Sequence, residues 1–77
     1  MSAYWVFEYE RGSLTPSGAT PFAIDEPSHE ELLAIARNTF AVDCDLLDRA
    51  VVTDSTGETL AEWSIRDHLL ETAPAAG

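Results

Sequence analysis

Apolar and polar residues alternate from Ala3 to Glu10, with Trp5, Phe7 and Tyr9 on one parity and Val6, Glu8 and Glu10 on the other. A period of two with aromatic enrichment predicts a β-strand over Ala3–Glu10. The aromatic parity is expected to look into the core, while the other parity turns acidic towards its end. Arg11–Pro21 gathers Gly12, Ser13, Pro16, Ser17, Gly18 and Pro21, and reads as a loop or a wide hairpin connection. Phe22–Ile24 reads as a short second strand, which the preceding proline assigns to a sheet edge.

After Pro27 the period changes. Ser28 is a good helix N-cap and Glu31 stands three residues later, the pattern of a capping box. Glu30 and Glu31 also complement the positive pole of a helix that runs to about Asn38–Phe40. Leu32, Ile35, Ala36 and Phe40 recur at three-and-four spacing and form its buried stripe. Ala41–Asp48 carries no clean period and reads as a connection with one helical turn. Arg49–Asp54 and Glu58–Ser64 are strand-prone runs joined by Asp54-Ser55-Thr56-Gly57, which predicts a hairpin closed by glycine. Ser64 with Asp67 repeats the capping pattern ahead of a short helix to about Glu71, with Ile65, Leu69 and Leu70 facing inward.

These elements predict one α+β domain over residues 1–71 in the order β(β)αββ plus a short C-terminal helix, and a fraying tail over 72–77. The sheet is expected to be mainly antiparallel, of three to four strands, with the Ser28 helix on one face. Trp5, Phe7, Tyr9, Leu32, Ile35, Phe40, Val52, Leu60 and Trp63 are the expected core. A chain of 77 residues buries only about 60–65% of its unfolded surface, so deep clefts are hard to build and flat binding surfaces are easy. No apolar run approaches the length of a membrane span, and no secretory signal is visible at the N-terminus, which points to the cytoplasm.

Charge changes the picture most. Fourteen carboxylates face four arginines, with no lysine, for a net charge of −10. Such an excess costs stability through self-repulsion and argues against direct contact with nucleic acid or anionic membrane. It favours a basic partner protein, or metal cations.

The residues of reactive chemistry are His29, His68 and Cys44, and none lies in a nucleophile or phosphate-loop motif. Asp43 and Asp45 flank Cys44 and disfavour its thiolate, so the thiol reads as a small half-buried hydrophobe. Asp43-x-Asp45-x-x-Asp48 and Asp54-x-Thr56-x-Glu58 crowd oxygen ligands but lack the calcium-loop pattern, so neither metal nor cofactor is expected. The acids themselves are the stronger candidate. Carboxylates two apart on an extended segment lie ~6.6 Å from each other, close to two phosphate steps of ~3.4 Å on a nucleic-acid strand. The expected partner-binding patch is Asp43, Asp45, Asp48, Asp25, Glu26, Glu30 and Glu31. Of these, the Asp43–Asp48 acids are the least explained by local structure.

In length, charge, compact α+β character and lack of a catalytic motif, the chain resembles the small acidic proteins with which phages block host defences. These include DNA mimics and anti-CRISPR inhibitors. The resemblance implies a non-enzymatic inhibitor aimed at a CRISPR effector complex or another nucleic-acid-handling protein, and no site residue carries over. The alternative is a structural or adaptor module, homodimeric through an edge strand such as Phe22–Ile24. A third reading, a small enzyme or ligand carrier, requires a pocket at His29, His68 or Cys44.

Overall fold

The structure is a computed structural model, and it describes residues 2–72. It comprises β1 (Ser2–Glu10), β2 (Gly18–Ile24), α1 (His29–Val42), β3 (Leu47–Asp54), β4 (Thr59–Ser64) and α2 (Ile65–Thr72). The four strands form one sheet in the order β2-β1-β3-β4, and every neighbouring pair is antiparallel. The expected α+β class and element order are therefore observed. Thr72 closes α2, and the rest of the expected tail lies outside the described residues.

Both capping boxes form. The Ser28 hydroxyl accepts from the Glu31 N–H at 3.1 Å, and the Ser28 N–H donates to the Glu31 carboxylate at 3.3 Å. Ser64 donates to Asp67 through its N–H at 2.9 Å and its hydroxyl at 3.0 Å. Each box satisfies orphan donors at a helix start.

Three boundaries move by two residues or more. β2 begins at Gly18, so the connection expected over Arg11–Pro21 is shorter and Pro21 sits inside the strand, opposite Trp5. An edge strand tolerates this because only one of its sides pairs. α1 extends to Val42, and β3 starts at Leu47, where a register shift opposite Tyr9/Glu10 turns both Leu47 and Ala50 towards α1. A bulge of this kind breaks strict alternation, which is why the segment shows no clean period.

The core departs from expectation on β1. Val6 is buried, whereas Trp5 is 38% exposed and Phe7 and Tyr9 are only half-buried. Helix α1 lies over the Val6 parity, where Val6, Leu32, Ala36, Val52 and Ala61 pack together with Trp63 and Leu60 at their margin. Alanines at 36, 50 and 61 let helix and sheet approach closely, and Phe40 fills the far end against Leu47 and Ala50. Helix α2 packs beside α1 on this side, with His68 5.4 Å from the Phe40 ring. Ile65 joins the Phe40 cluster, but Leu69 and Leu70 are 60% and 70% exposed, not inward as expected. A two-turn helix touching the domain along one line buries fewer positions than its apolar content allows.

By register, the other sheet face carries Trp5, Phe7 and Tyr9 of β1, Ala19 and Pro21 of β2, Arg49, Val51 and Thr53 of β3, and Glu62 of β4. Among the described residues no helix covers it. The molecule's thinnest extent is 18 Å, room for a sheet and one helical layer at about 10 Å spacing.

Candidate functional site

Strand direction sorts the carboxylates to two ends. Ile24 pairs with Ser2, and Tyr4 with Asp54, so the β2–α1 connection and the β3–β4 turn share one end of the sheet. Helix α1 starts there. This end carries Asp25, Glu26, Glu30, Glu31, Asp54 and Glu58, and none of the four arginines. Asp43, Asp45 and Asp48 sit at the opposite end, where α1 hands over to β3. Helix α1 has 14 residues, a separation of about 20 Å. The seven predicted patch residues therefore form two groups rather than one face. Asp43 and Asp45 lie in a tight turn, with the Leu46 and Leu47 N–H groups donating to the Asp43 carbonyl at 2.9 and 3.0 Å, so the extended spacing argued for phosphate imitation is not realised there.

The arginines gather at the far end and along the helices. Arg11 donates to the carbonyls of Leu47 and Cys44 at 3.3 and 3.0 Å, clamping the turn that holds Asp43 and Asp45. Arg49 lies over the Tyr9 ring at 4.1 Å and meets Asp48 at 3.3 Å and Glu62 at 3.8 Å. Arg37 reaches Trp63 at 5.9 Å and Glu71 at 3.9 Å. Among the described residues Asp48, Glu62 and Glu71 are the only carboxylates in ion pairs.

The end without arginines is built by turn and cap chemistry. Asp54 accepts from the Thr56 hydroxyl at 2.6 Å, the Thr56 N–H at 2.8 Å and the Glu58 N–H at 3.0 Å. Those bonds, the Thr56 hydroxyl foremost, hold the Asp54 carboxyl below its ordinary 3.8, with desolvation opposing them. Gly57 completes the turn at φ +90°, a conformation that favours glycine. Glu26 also has a positive φ, +44°, in the connection into α1. A side chain there costs backbone energy that glycine would avoid, so Glu26 is the acid whose place the local fold explains least.

The residues of reactive chemistry are dispersed. His29 is exposed at the start of α1, His68 rests against Phe40, and Cys44 packs half-buried beside the Phe40 cluster. No group of three or more His, Cys, Asp or Glu is placed to hold a metal ion among the described residues. A groove of about 210 Å³ runs between α1 and β4, lined by Glu30, Leu33, Ala34, Arg37 and Trp63, and none of His29, Cys44 or His68 borders it. Trp5, Phe7 and Tyr9, expected in the core, instead make an aromatic sheet face, because α1 covers the Val6 parity of β1. Comparison with protein-family models, with curated proteins and with solved structures returns no match for this chain.

Proposed function

We propose that the protein is an acidic partner-binding domain that docks the end bearing Asp25, Glu26, Glu30, Glu31, Asp54 and Glu58 onto a basic surface of another protein. The observation that carries this reading is the absence of any arginine at that end, against six carboxylates. Among the described residues the formal charges there are all carboxylates, and the turn hydrogen bonds favour the ionised form of Asp54. A concentrated field of one sign steers a cationic partner and raises its rate of encounter.

The basic surface best matched is a groove that otherwise holds a nucleic-acid backbone, since such grooves are built to receive closely spaced negative charge. A domain seated there competes with nucleic acid and inhibits, the mode that the resemblance to small acidic phage proteins implies. In this reading the far group, Asp43, Asp45 and Asp48, contributes less, because Arg11 and Arg49 stand beside it.

The test is affinity capture from a host lysate on the immobilised protein, followed by elution in rising salt. Nucleic-acid-binding proteins should be retained and released at a few tenths molar salt, about where screening shortens to a few ångströms. The triple variant Asp25→Asn, Glu26→Gln, Glu30→Gln should lower retention at least tenfold, and Asp43→Asn with Asp45→Asn should lower it less. Retention indifferent to salt, or to the triple variant, would reject the reading.

A further inference from the structure

The sheet face turned away from α1 has no role in charge-directed docking, and its chemistry differs from the rest of the surface. Trp5 and Phe7 stack along β1 with ring centroids 6.3 Å apart. Tyr9 continues the row, held under the Arg49 guanidinium. Val51 and Thr53, their register partners on β3, are 7% and 6% exposed although no helix overlies them. The aromatic rings shelter them, so a contiguous apolar surface faces outward. The Thr53 hydroxyl is buried there without a hydrogen-bond partner.

This face is also close to neutral on a molecule of net charge −10. By register Arg49 and Glu62 are the charged residues, among those described, that project from it, and Asp48 stands at its margin; both carboxylates meet Arg49. A basic partner finds no unpaired carboxylate here and gains no charge complementarity. A second copy of this chain finds a like apolar row, and the carboxylate that meets its own copy near the axis, Glu62, is offset by Arg49, while the acidic ends stay outside the contact. We propose that two copies pack their open sheet faces together, across a twofold axis near Phe7 and Val51. Such an axis sets Trp5 of one copy towards the partner's Tyr9 and makes the contact self-complementary.

The nine residues of β1 span about 30 Å, and the strand spacing gives a usable width of about 15 Å, so the pair buries on the order of 1,000 Å² in total. That lies at the weak, reversible end of specific interfaces. It differs from edge-to-edge pairing through β2, where Pro21 removes a donor from the middle of the edge. It also stands independently of docking at the acidic end and responds to salt with the opposite sign. Added salt screens the repulsion of two acidic copies and strengthens the dimer, whereas it weakens capture of a basic partner.

Sedimentation velocity of the full chain from about 1 μM to about 1 mM, at low and high salt, tests it. The expected result is a monomer–dimer equilibrium that tightens with salt. Trp5→Glu and Ala19→Glu, which each place a charge on the face, should weaken it at least tenfold with the circular dichroism spectrum unchanged. Val42→Glu, the same charge at an 80% exposed position outside the face, should leave it within about twofold. Ala19 is exposed on an edge strand, so its variant decides the matter should Trp5→Glu fail to fold. A monomer at every concentration, or a dimer that survives Ala19→Glu, overturns the proposal.

Discussion

Asp54 shows how one side chain serves both local structure and surface charge. It caps the β3–β4 turn through three hydrogen bonds, and those bonds favour its ionised form. A carboxyl whose folded pKa is depressed stabilises the fold fully above its unfolded value near 3.8. That contribution is lost as pH falls through the lower folded value. The stability advantage of the native protein over Asp54→Asn should therefore be constant above about pH 5 and shrink below pH 4. Urea midpoints measured for both proteins across this range check it, and parallel curves would show that the carboxylate makes no charge-dependent contribution. The composition Asp-x-Thr-Gly marked this turn from sequence alone, because turn bonding is settled within five residues. The positive φ of Glu26 was not legible, since no glycine or asparagine flagged it.

At the level of elements, the helices were readable because caps and period act locally. Ser28 and Glu31 meet as their spacing requires, whatever packs on the helix afterwards. Ser28→Ala should lower stability by about 1 kcal/mol and Glu31→Ala by less, with the double variant milder than the sum because the two losses share one motif. Denaturant unfolding of the three variants measures this; strict additivity would mean that the reciprocal bonds do not couple. The strands were readable as strands, but their faces were not. Period two says that Trp5, Phe7 and Tyr9 share a side and leaves open which side the helix takes. Helix α1 took the side of Val6, Val52 and Ala61, where small residues permit close approach. The larger rings of β1 were left facing outward.

For the whole molecule the governing quantity is the imbalance of fourteen carboxylates over four arginines. Few of those carboxylates are neutralised by the arginines within the fold, so self-repulsion remains. Raising sodium chloride from about 0.02 M to about 0.5 M should raise the thermal midpoint by several degrees as that repulsion is screened. Thermal unfolding followed by circular dichroism checks it, at a protein concentration low enough to keep the chain monomeric. A midpoint unmoved by salt would mean that the acids are too far apart to oppose folding. Of the candidate site, the sequence made the acids visible as a set but not their division into two ends. That division depends on α1 crossing the sheet from end to end between residues 28 and 43.

The sequence by itself determined the element order, both helix caps, the glycine-closed hairpin and the net charge, because each depends on neighbours within a few positions or on composition. Tertiary structure alone decided which face of the sheet is bare, which carboxylates stand together and where the arginines spend their charge. Those outcomes follow from strand pairing and helix placement between residues far apart in the chain, and a periodic pattern carries no record of them.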